Sequence, residues 1–327
     1  YQRRRAEPIT LAIIQEYVHN EGDAWNYSLD VATTFFEQVT SRSATETLHP
    51  ALPEVSLLDL MHQEPPPLAR ELMGGYLQSA ELLGKRTGEL HVALGSATDD
   101  PSFAPEPFTP FYQRSIYQAM RGLVANTFPL LLKKRRELPE DVKALADAVL
   151  ERESLVMERF RAVADTRVSG ARIRVHGDYH LGQVLFTGKD FVIIDFEGEP
   201  ARPLSERRLK RSPLKDVAGM VRSFHYAAHT ALHNQTATGM LRPEQSREME
   251  IWARYWHVWS AAAFLRGYMA EAGDKGLMPK SPEQLQLLLD AYTLEKAVYE
   301  TNYELNNRPD WVEIPLAGIL QILGESA

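Results

Sequence analysis

The 327-residue sequence contains no cysteine, which excludes disulfides, thiolate catalysis and any cysteine-ligated zinc site and suits a reducing compartment, the cytoplasm. Long apolar runs are also lacking. The longest, such as Phe128–Leu132 with its internal proline, fall far short of the roughly 20 residues that cross a bilayer, so no membrane role is expected. Nor does a charged-then-apolar leader open the chain. Excess positive charge is missing too: the formal net charge is −8, which argues against a surface that tracks nucleic-acid phosphates. The basic clusters Arg3–Arg5 and Lys133–Arg136 are short and read as solvated faces. What is present, 44% hydrophobic and 24% charged residues, is the composition of a folded protein with one large or two modest cores.

Helical periodicity dominates the chain. It predicts helices over Asn26–Val39 and over Leu68–Leu94, the latter interrupted by glycines, with Pro50, Pro53 and Pro65–Pro67 as breakers between them. Thr109 and Pro110 form a cap and first-turn pair for a helix to about Phe128. Asp141–Ala164, Lys215–Asn234, Pro243–Ala272 and Ser281–Asn306 continue the pattern, the last with a capping-box start at Ser281, Pro282 and Gln284. Trp252, Trp256 and Trp259 repeat at helical spacing and are expected in the core rather than at a ligand. One β island follows the opening segment: Arg172–Val175, Val184–Phe186 and Phe191–Ile194, the last two joined by a Thr-Gly-Lys-Asp turn. A Pro- and Arg-rich loop, Ala201–Pro213, comes after it. The expected fold class is therefore mainly α with a small β hairpin region (α+β).

The chemistry is concentrated in that island. VHGDYHLGQVLF at 175–186 sets His176, Asp178, His180 and Gln183 among apolar strand residues, and Asp195 ends the next strand 17 positions after Asp178. A carboxylate beside a substrate hydroxyl orients it and accepts its proton, while a second carboxylate with an amide oxygen holds Mg2+ on phosphates; phosphoryl transfer needs this division of labour. An isolated His-Gly-Asp is more often a turn, but three elements in kinase order and spacing, His176-Gly177-Asp178, Gln183 and Asp195-Phe196-Glu197, favour the functional reading. His176 is expected to brace the loop against the Asp195-Phe196 segment, and His180 has no assigned role. Histidines at 176 and 180 have the spacing of a zinc helix, but Gly177 and the strand flanks deny the helix.

HGDYHLGQVL followed by IIDFEGEP resembles the actinobacterial-type maltokinases, a branch of the aminoglycoside-phosphotransferase-like, protein-kinase-like fold. EPITLAIIQEYVHNEGDAW near the start and LEKAVYETNYELNNRPDWVEIPLAG near the end are similar to the same family, so the likeness runs from residue 7 to residue 318. The resemblance implies a protein-kinase-like C-lobe plus hinge, with ATP-dependent phosphorylation of maltose to maltose 1-phosphate, an intermediate of α-glucan (glycogen) synthesis. It implies Asp178 as catalytic base, Gln183 and Asp195 as Mg2+ ligands, and Lys296, Tyr299 and Tyr303 as maltose-binding residues. The last three, with Glu300, stand at i, i+3, i+4 and i+7 on one helical face; a solvated face is the alternative. Gln15-Glu16-Tyr17-Val18 resembles a kinase hinge, where the carbonyl of Glu16 and amide of Val18 would meet adenine, or else is a simple edge strand. Asp216 stands where similar kinases carry an aspartate that holds the catalytic loop, or is an ordinary helix-start carboxylate.

A kinase N-lobe supplies a phosphate-covering region and a lysine, and nothing before Gln15 provides them. Residues 1–20 are accordingly expected to be a remnant of N-lobe and hinge, with the N-lobe largely absent, and 21–327 a helical C-lobe carrying the catalytic hairpin at 171–200. The opening YQRRRAEPIT, without an initiator methionine, fits a chain whose preceding part is missing: an N-lobe, or an N-lobe behind a trehalose synthase. Such a piece is expected to be inactive alone. The alternatives are a related amino-sugar or aminoglycoside kinase, against which Lys296 counts, and a non-catalytic kinase-like binding module.

Overall fold

The computed structural model describes residues 14–43, 47–97, 99–200 and 202–324. Among these, in chain order, run helices α1 (Ala24–Ser43), α2 (Leu57–Leu60), α3 (Pro67–Met73), α4 (Tyr76–Ser96), α5 (Pro110–Lys134), α6 (Glu140–Glu151) and α7 (Glu153–Asp165). They are followed by α8 (Leu204–Arg207), α9 (Leu214–Ala237), α10 (Pro243–Ala272), α11 (Pro282–Asn307) and α12 (Glu313–Ile322). Two small antiparallel sheets complete the fold: β1 (Glu106–Pro107) with β2 (Ala171–Arg172), and the hairpin β3 (Val184–Phe186) with β4 (Phe191–Ile193). No helix among the described residues is long and apolar enough to cross a membrane.

The caps and breakers act where their chemistry dictates. The Thr109 and Ser281 side chains accept backbone N–H bonds at the starts of α5 and α11, satisfying donors that the first turn leaves orphaned. Gly74, at φ 51°, splits the expected 68–94 helix into α3 and α4. The expected 141–164 helix is likewise two, broken at Arg152. By contrast Pro129 does not end α5, because the buried stripe Val124, Phe128 and Leu131 carries the helix past it to Lys134. Several elements lie outside the sequence-based expectation, among them the short α2 and α8. β1 pairs with β2 through a contact 66 positions distant, and α12 follows Pro309 and contains Pro315 yet buries Ile314, Leu316, Ile319 and Leu320.

α9 is the hub. It packs on α1, α10 and α11 and is buried along almost its whole length, so its first turn is rigidly placed beneath the loop that leads into the β3–β4 hairpin. The tryptophans of α10 are core residues as expected: Trp252, Trp256 and Trp259 are buried, and Trp256 stacks on Tyr76 at 4.9 Å. α10 crosses α4 through glycines on both sides. A Cβ on Gly267 would sit 1.9 Å from the Glu81 carbonyl oxygen, and one on Gly84 1.9 Å from that of Phe264. Neither oxygen belongs to a movable side chain, so the interhelical distance is set by two missing methyl groups.

This crossing gives a paired prediction. Gly267→Ala is expected to destabilise the protein by about 2–3 kcal/mol through overpacking. Gly122→Ala, on the exposed side of α5 with nothing within 4 Å, should stabilise it by about 0.5–1 kcal/mol through helix propensity. Urea denaturation of the two variants checks the pair; equal effects would show that backbone contact does not govern the α4–α10 crossing.

Candidate active site

The loop at 176–180 is held from below by one carboxylate. Asp216, in the first turn of α9, accepts the backbone N–H of His176 on Oδ2 at 2.7 Å and that of Gly177 on Oδ1 at 3.0 Å. His91 of α4 approaches Oδ2 through Nε2 at 3.2 Å and is itself within 3.0 Å of the Tyr268 hydroxyl through Nδ1. Asp216 is 2% exposed. Burial alone would raise its pKa, but the hydrogen bond from His91, the charges of His91 and His176 and the Gly177 amide outweigh it and lower it. The choice between loop holder and helix-start carboxylate thus falls to the loop holder. Gly177, at φ 87°, turns the chain so that both amides point to Asp216 while Asp178 faces away.

His176 is 1% exposed. Its Nε2 bonds the Ile194 carbonyl at 2.7 Å and its ring lies 5.3 Å from that of Phe196, so it braces the loop against the segment that carries Asp195. Gln183 ends a single 3-10 turn at Leu181–Gln183, and its carbonyl accepts the Ile194 N–H at 3.0 Å. Asp195 follows directly, exposed and at φ 63°, the one non-glycine positive φ among the described residues. Aspartate tolerates this left-handed conformation better than most residues, at a cost of order 1–3 kcal/mol, and such strain concentrates at functional positions. Burial lowers the pKa of His180, Asp178 and Asp195 pull it up, and Lys296 and His176 push it down. His180 is therefore a neutral ring within electrostatic reach of both acids, with Nδ1 accepting the Gly182 N–H at 3.1 Å.

Asp178 opens onto a cavity of about 930 Å³. Lys296, Tyr299 and Tyr303 of α11 line it together, as does Glu300; the polar face of α11 is thus a cavity wall, with Tyr303 exposed at its mouth. Lys296 lies over the Tyr299 ring at 5.1 Å. Tyr299 hydrogen-bonds Glu199, which with burial raises the phenol pKa. Glu199 is also paired with Arg202 at 2.5 Å; burial opposes its ionisation, but the Tyr299 and Arg202 hydrogen bonds prevail and its pKa falls. Deeper in the cavity, Glu300 takes the Arg222 guanidinium at 2.7 and 2.9 Å, with Arg222 2% exposed. Glu304 takes Arg308 and the Tyr226 hydroxyl, and Trp311 closes the far end with Arg308 over its ring.

Not every sequence-predicted residue meets at this cavity. Gln183, Asp195, Glu16 and Val18 are not among its lining residues; Glu16 and Val18 lie in a stretch, 14–20, without helix or strand, the Val18 carbonyl accepting from the Asn20 side chain at 2.9 Å. Strand-like pairing begins only at Glu21 and Gly22, which exchange backbone bonds with Phe186. Of the expected remnant of N-lobe and hinge at 1–20, residues 1–13 lie outside the described residues. Glu199, Tyr226, Glu304, Arg308 and Trp311 line the cavity without having been singled out. A signal existed for two: Glu304 and Arg308 extend the i, i+4 series from Glu300. Trp311, in a 3-10 turn after Pro309, has no periodicity to reveal it.

The profile of the phosphotransferase enzyme family (APH) matches residues 47–198, a segment that ends just past Asp195. The glucosamine kinase of Streptacidiphilus jiangxiensis is 25% identical over 255 residues, covering 76% of this chain and 50% of that protein. That of Mycolicibacterium smegmatis is 31% identical over 154 residues, 46% of this chain and 34% of that protein. The chain thus spans half or less of the curated relatives it matches. A solved glucosamine kinase in complex with glucosamine, ADP and inorganic phosphate superposes with a TM-score of 0.65 at 19% identity, over 93% of this chain and 61% of that one. A second crystal form gives 0.66 at 19% identity, over 93% and 59%.

Removing the loop anchor tests the construction of the site. Asp216→Ala leaves two amides and His91 without their partner and is expected to cost about 3–5 kcal/mol at pH 7. The sign of the pH dependence follows from a lowered folded-state pKa: the carboxylate contributes fully above its ordinary value of 3.8, and the contribution fades as pH drops below that value toward the folded one. Denaturation of wild type and variant at pH 7 and at pH 3–4 should show the gap narrowing in acid; a constant gap would exclude a charged anchor. The loop, hairpin and helical body together give this chain a kinase-like fold, the one it shares with the solved glucosamine kinases.

Proposed function

We propose that the chain forms the catalytic and acceptor-binding part of an ATP-dependent sugar kinase, with an amino sugar of the glucosamine class as acceptor. The observation that carries the reading is Asp178, on a loop clamped by Asp216, opening onto a cavity whose other wall is Lys296, Tyr299 and Tyr303. In this reading Asp178 orients the acceptor hydroxyl and takes its proton, and the cavity wall supplies hydrogen bonds and aromatic surface to the ring. Gln183 and Asp195 belong to chain segments joined by the Ile194 N–H to Gln183 carbonyl bond, and their oxygens are the hard donors that Mg2+ shared with nucleotide phosphates takes. Mg2+ supplies charge neutralisation on the phosphates when bound. Glu16 and Val18 remain the proposed adenine contacts.

The named activity of the relatives supports an amino sugar, and so do Asp23 and Asp178, the cavity acids that no guanidinium matches. Maltose is the second reading. It draws on the residue pattern of α11 and on a volume of about 930 Å³, more than one hexose ring needs.

Both readings are tested on the natural full-length protein with Mg·ATP and, in parallel, glucosamine, maltose, glucose and trehalose. Phosphorylation of glucosamine above maltose is expected, and the reverse order would transfer the assignment to maltose. Asp178→Asn should lower turnover at least 10²-fold with any of these acceptors, whereas Tyr303→Ala should act mainly on KM. A protein that turns over none of them and binds nucleotide unaltered by Asp178→Asn would instead be a binding module.

A further inference from the structure

α12 lies across a buried guanidinium and the imidazoles packed beside it. We propose that this helix is an acid-released strap, seated at neutral pH on Arg222 and the cluster His225, His229 and His257 and coming away in mild acid, so that Arg222 no longer backs Glu300 in the acceptor cavity. The strap stands on its own geometry; only its effect on an acceptor rests on the sugar-kinase reading.

The first observation is the crowding of imidazoles. The His225 ring centroid lies 4.3 Å from that of His229, one turn along α9, and 5.1 Å from that of His257 of α10. His225 is 1% exposed, and Arg222, one turn before it, 2%. Neither ring nitrogen of His225, nor Nε2 of His229 or His257, has a partner at hydrogen-bonding geometry. The acids nearby are engaged: Glu250 faces His229 at 3.2 Å, and Glu300 takes Arg222. Rings this close, beside a guanidinium that keeps its charge, pack together only while they are neutral. Burial first, then the charge of Arg222 and the neighbouring imidazoles, lower the pKa of His225, and Gln321 of α12 offsets this in part. Burial, Arg222 and His229 push His257 down to about 3, with the Val221 backbone opposing and Arg254 adding to them.

The second observation is how α12 is held. At ten residues it is too short to be stable by itself, so its packing on α6, α9 and α11 decides whether it forms. Its backbone lies directly on the guanidinium: a Cβ on Gly318 would sit 2.3 Å from Nη1 of Arg222. Once α12 lifts, water reaches the cluster and the imidazoles titrate near their ordinary value of 6.5. Histidines whose pKa is lowered in the seated state stabilise it fully above that value and progressively less as the pH falls below it. Glu313, in the first turn of α12, acts the other way, because burial and the charges of Glu250 and Asp141 raise its pKa, offset in part by His229 and Arg247. Its protonation favours the seated helix, but it is one group against two.

Hydrogen–deuterium exchange of the natural full-length protein at pH 7 and pH 5.5 tests the strap, read as protection factors for α12 and for α5, which contains no histidine. Two imidazoles that titrate only in the open state should lower the protection of α12 by about 10²-fold between these pH values while α5 is unchanged. His257→Gln, at a partly buried position, leaves one such imidazole and should cut the loss to about 10-fold; His225→Gln should do the same. Protection of α12 that is constant with pH, that falls together with that of α5, or that falls equally in wild type and both variants overturns the proposal.

Discussion

The position of the 176–178 loop, and with it of the candidate base Asp178, depends on one buried carboxylate. Asp216 takes two consecutive backbone amides, and those amides belong to the residues just before Asp178. A carboxylate with two oxygens in fixed geometry removes rotational freedom from both peptide planes at once, so the side chain of Asp178 is aimed by the backbone and not by contacts of its own. The burial that makes the arrangement rigid also makes it costly. Full desolvation of a carboxylate is tolerated here because His91, itself fixed by Tyr268, supplies a partner along with the amides. The chain joins four distant segments, α4, α9, α10 and the hairpin loop, in one hydrogen-bonded line. Strain at Asp195 fits the same logic: the bond from Ile194 to the Gln183 carbonyl and the His176 bond to the Ile194 carbonyl leave the next residue little choice of backbone angle.

Sequence patterns made the helical body legible because burial stripes, caps and prolines are local signals. Thr109, Ser281 and the α10 boundaries at Pro243 and Ala272 are read directly from neighbours in the chain. What escaped was nonlocal. The β1–β2 pairing joins the start of the expected Arg172–Val175 run to Glu106–Pro107, whose own neighbourhood carries no strand pattern, and α12 begins after Pro309 and contains Pro315, both of which locally argue for a break. Burial against α6 and α11 overrides that argument.

The candidate site divides along the same line. Asp178, Gln183 and Asp195 lie within 18 consecutive residues, and their spacing alone suggested convergence. Lys296, Tyr299 and Tyr303 were legible as a helical face, though not as the wall opposite Asp178. Glu199 was visible only as part of a conspicuous run, since its role comes from meeting Tyr299, 100 positions away. Trp311 depended on how α11 ends, which no periodicity describes.

The pairing of the cavity acids bears on what the cavity selects. Glu199 is matched by Arg202, Glu300 by Arg222 and Glu304 by Arg308, so each presents hydrogen-bond acceptors without an unbalanced negative charge. An isolated buried carboxylate would demand a cation and reject a neutral sugar, whereas a guanidinium-matched one accepts from a hydroxyl nearly as well as from an ammonium group. Such a lining is built first for a polyhydroxylated ring, and preference for an amine is a smaller increment added by the acids left without a guanidinium, Asp23 and Asp178. Discrimination between an amino sugar and its neutral analogue is then modest, of the order that one hydrogen-bonding group confers and not that of a full charge. In the proposed sugar-kinase reading the same groups serve glucosamine and maltose alike, and the difference between those two candidate acceptors falls to the space beyond the first ring, toward Tyr226, Arg308 and Trp311.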